Sequence, residues 1–195
     1  MRLTPWIVAA LLLFALWRLY SQRDISRDAG VLAAADPEQH EIHAAALRRG
    51  DFTLRPRAEF SATVRILRRE DYAMDWIAPL VPTDFAVGWG AMSDSAVLEH
   101  IDISQANRFY FWRTRIWPVS RQVIERHSAN WHVIAASDAV RSTLHQLRAG
   151  SVVELEGQLV DVEGRDAGIV TSLSRNDTGP GACEILLASS VRVLR

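Results

Sequence analysis

The most uniform hydrophobic stretch is the start of the chain. From Thr4 to Trp17 no charged residue interrupts, and Leu19 and Tyr20 carry the apolar character past Arg18. A helix rises 1.5 Å per residue, so about 17 such residues reach roughly 25 Å, the short end of a bilayer span. Trp6, Trp17 and Tyr20 sit at its two ends, where amphipathic rings favour the headgroup level, and Arg18 can snorkel there. The small residues Ala33-Ala34-Ala35 lie well beyond the run, too far for a signal-peptidase site, so the pattern predicts an uncleaved anchor. Residues 1–22 are therefore expected as a transmembrane helix. Polar residues, Gly30 and the Asp36-Pro37 turn make 23–51 a tether, and residues 52–195 the domain.

Within the domain the period changes to two. In Glu59–Arg69, Phe60, Ala62, Val64 and Ile66 alternate with Glu59, Ser61, Thr63 and Arg65, the pattern of a half-buried strand. Arg108–Arg113 reads as a strand with aromatics on both faces. Ser151–Glu163 places Val153, Leu155, Gly157 and Leu159 on one face, then Val160 and Val162 on the other, a switch that predicts a bulge or bend. Gly168–Leu173 and Ala182–Ala188 flank a Gly/Pro turn and read as a hairpin, with a last short strand over Val191–Leu194. Three helices fit between: Asp94–Ile101 after Ser93, one through Arg126 with Pro118 in its first turn, and one capped by Ser137 and ended by Gly150. The third carries the stripe Val140, Leu144, Leu147.

Composition narrows the class. The chain has 195 residues and a formal net charge of -1, so no broad positive field draws it to nucleic acid. Cys183 is its only cysteine, which excludes an intrachain disulfide and a multi-thiolate zinc site.

The last helix followed by Gly150-x-Val-Val-x-Leu-x-Gly-x-Leu-Val resembles the OB-fold, a small Greek-key barrel that binds oligonucleotides and oligosaccharides. The expected fold is α+β: an N-terminal transmembrane helix, then a small OB-like β-barrel with short interspersed helices. Three strings, Phe85–Asp94, His127–His132 and Ser172–Glu184, resemble strings in uncharacterised membrane-anchored bacterial proteins with a small OB-like domain. That resemblance implies an anchored domain and transfers no catalytic residue.

Cys183 with His132 or His127 could form the thiolate–imidazolium pair of cysteine hydrolases, since imidazole beside sulfur favours the thiolate. Free cysteine is also among the most buried residue types, so a core role competes. His127, His132 and Asp94 have the chemistry of metal ligands, but the spacing of the two histidines is not a helical ligand pair. Both read more simply as partly buried histidines donating to backbone carbonyls, and no metal or cofactor is expected. Arg108, Arg113 and Arg115 interleave with Tyr110, Trp112 and Trp117, as in single-strand binders, although neutral charge disfavours nucleic acid. Trp89 between Gly88 and Gly90, with Asp94 following at a helix start, suits an aromatic platform for a sugar or peptide, and more simply a Trp that plugs one end of a barrel.

The expectation is a single-pass protein of the bacterial inner membrane. Arg18, Arg23 and Arg27, counted strictly, favour a cytoplasmic domain. The short basic tail at Arg2 has the layout of a signal-anchor that exports the downstream domain, and the exported, periplasmic side is expected. The domain would bind or scaffold, with the membrane, another envelope protein or a glycan as partner and Trp89, Asp94, Asn130, Arg108 and Trp112 as binding residues. Two alternatives stand beside it: a hydrolase using Cys183 and His132, and a nucleic-acid-binding OB module.

Overall fold

The structure, a computed structural model, describes residues 23–195 and three positions before them, Ile7, Ala9 and Leu13. The expected anchor over residues 1–22 thus lies outside the described residues, and among these no helix is long and apolar enough to cross a membrane. The fold is mixed α+β, mostly strands. Its spine is β3 (Phe52–Asp71), which pairs antiparallel with β1 (Glu38–Glu41), β2 (Leu47–Arg49), β4 (Thr83–Gly88) and β8 (Val152–Glu163). From β4 the sheet continues through β7 (Ser128–Ala135) and β10 (Glu184–Val193) to β8, which returns to β3. Five strands thus follow a partly closed path, antiparallel throughout except for the parallel pair β7–β10. A hairpin of β5 (Ile101–Ala106) and β6 (Phe109–Thr114) forms a separate two-stranded sheet.

The alternation of β3 is realised: Phe60, Ala62, Val64 and Ile66 are buried, and Phe60 meets Trp131 edge-on at 5.3 Å between ring centres. Val153, Leu155 and Leu159 of β8 join this inner core. Val160 and Val162 pack instead with Leu54, Ile185 and Leu187 into a second core on the opposite face. The face switch after Leu159 therefore needs no bulge in β8, which is covered on both sides there. The bulge lies across the ladder in β3, between Pro56 and Ala58.

The helices are shorter than the sequence pattern predicts. Asp94 caps α1 (Ser95–Leu98), and Ile101 already belongs to β5. Ser120, and not Pro118, begins α2 (Arg121–Arg126). Ser137 caps α3 (Asp138–Gln146), which buries Val140 and Leu144. The expected hairpin after Gly168 is not formed: β9 (Gly168–Ile169) pairs with β8, and the last two expected strands are one, β10, irregular between Ala188 and Ser190. The segment expected as a tether is laid against the domain. Ile25 N–H donates to Ala149 O at 2.8 Å, Gly30 N–H to the Asp94 carboxylate at 2.7 Å, and β1 adds a strand to β3.

Candidate functional site

Three neighbouring strands bring a thiol, an imidazole and a carboxylate together. Asp84 of β4 is the register partner of His132 on β7. Glu184, the first residue of β10, is level with Trp131, which puts Cys183 one step back, beside Asn130. Side chains alternate along a strand, so Asn130 and His132 share one face. His132 Nδ1 lies 2.8 Å from Asp84 Oδ1, an ion pair bent away from the aligned hydrogen-bond direction. The Cys183 thiol, brought to the same face, also acts on the imidazole. Burial disfavours the imidazolium, but the bonds and charges of Asp84 and Cys183 outweigh it and hold the His132 pKa up to about 9. The site therefore favours the protonated imidazole. Asp84 is fully buried, and Cys183 is only partly so.

The hairpin tip completes this arrangement. Asn107 and Arg108 both have positive φ, 52° and 71°, as a two-residue turn of the primed kind requires. A left-handed arginine is strained, and its side chain holds it there. The Arg108 guanidinium donates to both oxygens of Asp75 at 2.8 and 2.9 Å and to Asp84 Oδ1 at 2.8 Å, and stacks 3.9 Å over the Tyr72 ring. The Arg108 carbonyl accepts from Asn130 Nδ2 at 3.0 Å and lies 3.9 Å from Cys183 Sγ. Asn130 Nδ2 is also 4.0 Å from the sulfur, and its Oδ1 accepts from buried Gln105 at 2.7 Å.

Glu184 points to the other face. Arg175 donates to its Oε1 at 3.2 Å, while Oε2 is buried without a partner. Burial, more than the opposing charge of Arg175, pushes the Glu184 carboxyl up to about 7. Both faces meet at a cleft of about 460 Å³ against the starts of β7 and β10. Its far wall is β6, from Phe109 to Trp112; Trp89, Arg175, Cys183 and Glu184 line the rest. Tyr110 hydroxyl and Ser128 Oγ are 2.8 Å apart across it, and burial pushes the phenol up to about 12.

Of the residues singled out in the sequence, Cys183, His132, Asn130 and Arg108 converge, and Trp89 and Trp112 line the same cleft. In place of the expected backbone carbonyl, His132 faces a carboxylate and a thiol. His127 does bind a carbonyl, Val123 O at 2.8 Å, and its ring lies against Trp89, away from the thiol. Asp94 is a cap, accepting from Ala96 N–H and Gly30 N–H, so the chemistry of the cleft does not include it. Trp89 is buried and donates to Asp36 at 2.9 Å, which makes it a wall and not an exposed platform. The Arg108 charge is spent on Asp75 and Asp84, which removes it from any phosphate-binding strip. Among the described residues no group of His, Cys, Asp and Glu could hold a metal ion.

Asp84, Gln105, Arg175 and Glu184 were not foreseen. The signal was present for two of them: Asp84 and Glu184 each stand directly before an apolar run, Phe85–Val87 and Ile185–Ala188, and a charge carried into such a strand needs a buried partner. No protein-family model, curated protein or solved structure matches this chain.

Proposed function

We propose that the chain is a cysteine-dependent hydrolase acting by acyl transfer, with Cys183 as nucleophile, His132 as its acid–base partner and Asp84 holding the imidazole. The observation that carries this is the pairing of His132 with buried Asp84 behind a thiol that lines an open cleft, where Asn130 and the Arg108 carbonyl converge on the sulfur. The sulfur attacks an acyl carbonyl carbon; the bond to the leaving group breaks, and that group takes the His132 proton. Water then attacks the thioester, returns a proton to His132, and releases the acid and the thiolate. Asn130 carries a second amide N–H directed at the sulfur, which serves the negative charge on the carbonyl oxygen.

The site is carried on a barrel of OB type. Supporting this are the strand path β3–β4–β7–β10–β8, its one parallel pair, and α3, which connects β7 to β8 along the chain. The uncharged run from Thr4 to Trp17 supports a single-pass anchor in the bacterial inner membrane with the domain on the exported side.

The test is alkylation of the full chain in detergent by iodoacetamide at pH 7, read by mass spectrometry. Cys183 is expected to react, and His132→Gln to slow the reaction about tenfold or more, with folding checked by a urea melt. A native thiol that fails to react, or one indifferent to His132, overturns the proposal.

A second reading is a binding or scaffolding module for an envelope protein or glycan. What favours it is that Arg108 and His132 together satisfy the Asp84 charge without any thiolate, while Phe109 and Phe111 stay exposed at the mouth of the cleft. Cys183→Ser would then leave function intact.

A further inference from the structure

The cleft has one wall made of backbone. In a two-residue hairpin the residues flanking the turn, Ala106 and Phe109, form a hydrogen-bonded pair, and such pairs alternate along the ladder. Ser104–Phe111 is therefore bonded as well, whereas Gln105–Tyr110 and Ile103–Trp112 are not. The N–H and C=O groups of Tyr110 and Trp112 consequently point away from β5. No strand pairs with β6 on that side among the described residues. That edge faces the cleft, since Phe109, Tyr110, Phe111 and Trp112 line it consecutively and not in alternation. Its near end is the Arg108 carbonyl, 3.9 Å from the Cys183 sulfur.

We propose that the substrate is an extended peptide, held as a third strand on the free edge of β6 so that one of its carbonyl carbons rests on Cys183. The proposal rests on the thiol reading above and adds the substrate class to it. A peptide carries N–H and C=O in alternation, which is what an edge strand can pair with, and pairing fixes its register. At about 3.3 Å per residue, Tyr110 and Trp112 lie roughly 7 and 13 Å from the thiol end, so they hold residues about two and four places from the reacting carbonyl. Phe109 and Phe111, half exposed on the same strand, cover the added chain.

The experiment compares three alkylating agents on the full-length chain in detergent at pH 7: chloroacetone, a tetra-alanyl chloromethyl ketone, and the same peptide with N-methylated amides. The peptide reagent is expected to label Cys183 about tenfold faster than chloroacetone, equivalent to about 1.4 kcal/mol of binding. N-methylation should abolish the advantage. So should Trp112→Pro, which removes an outward N–H without breaking the ladder to β5. Equal rates for the peptide and its N-methylated form overturn the edge-strand proposal, and the thiol reading survives if chloroacetone labelling still depends on His132. If neither reagent labels Cys183, both fall.

Discussion

The carbonyl oxygen of Arg108 lies 3.9 Å from the sulfur of Cys183, while the guanidinium of the same residue is bound to Asp84, the carboxylate behind His132. One strained residue thus joins the β5–β6 hairpin to the thiol and to the His132–Asp84 pair. The two sheets share no ladder, so side-chain bonds from Arg108, Gln105 and Tyr110 hold the hairpin against the main sheet.

Replacing Arg108 tests that coupling. Arg108→Met leaves Asp84, with no exposed surface, facing only His132, and removes both bonds to Asp75. Breaking a buried pair from one side costs about 3–5 kcal/mol, and a urea melt should show a loss of that order. Asp84→Asn added to Arg108→Met should recover part of it. If the two losses simply add, the buried charge is not what Arg108 serves.

Two raised pKa values give the domain a pH profile. His132, at about 9 when folded, binds its proton more tightly than in the unfolded chain, where a histidine sits near 6.5. Its contribution is complete below about 6.5 and is lost as pH rises through 9. Glu184, at about 7 when folded, also holds extra protons relative to an ordinary carboxyl, so stability falls as pH rises from about 4.5 to 7. Asp75 acts in the opposite sense: its hydrogen bond from Arg108 keeps its carboxyl below the usual range, and that stability is lost as acid protonates it. Maximum stability is expected near pH 5, with a decline of roughly 2–3 kcal/mol for each raised group as pH increases. Chemical melts across pH 4–9 measure it. Glu184→Gln should flatten the lower part of the decline and His132→Gln the upper; a profile flat from pH 5 to 9 contradicts the assigned charges.

Asp94 separates capping from binding. Its carboxylate accepts from Ala96 N–H at 2.9 Å and from Gly30 N–H at 2.7 Å. Asp94→Ala should cost about 1–2 kcal/mol in a urea melt, as caps do, and leave the labelling rate of Cys183 unchanged. A change in that rate would return Asp94 to the site.

Strands whose faces differ in polarity were legible in the sequence. Glu59–Arg69 alternates because one side meets the core, and it lies within β3, while Ser151–Glu163 coincides with β8 from Val152 on. The strand β4 was not, because both its faces are covered and the alternation disappears. It carries Asp84, so the carboxylate behind His132 was hidden with it. Cys183 and His132 stood out as residue types, but their partnership depends on the parallel pairing of β10 with β7, a contact between distant segments that no local pattern encodes. The docking of residues 23–51 was hidden for a related reason: their bonds are mostly backbone N–H groups, such as Gly30 and Ala33, which sequence does not distinguish.

Gly157 gives the most direct test of the partly closed sheet. It lies in β8 among Val153, Leu155 and Leu159, and pairs with Ala188 on one side and Phe60 on the other. A Cβ placed there would sit 2.1 Å from Leu187 O and 2.9 Å from Leu187 C, both backbone atoms, so no rotamer change can relieve the clash. The glycine thus lets β10 approach β8 closely, just where β10 becomes irregular after Ala188. Gly157→Val should destabilise the domain by about 1–3 kcal/mol despite the better strand propensity of valine. Gly157→Ala should already show part of the loss, because the conflict begins at Cβ. Gln158 is more exposed and donates only to Glu59 at 2.9 Å, so Gln158→Val should stay within roughly ±0.5 kcal/mol. Urea melts of the three variants decide the matter. A neutral Gly157→Val would mean that β10 does not pass over β8 at this level, and the path of strands that brings Cys183 to His132 would have to be redrawn.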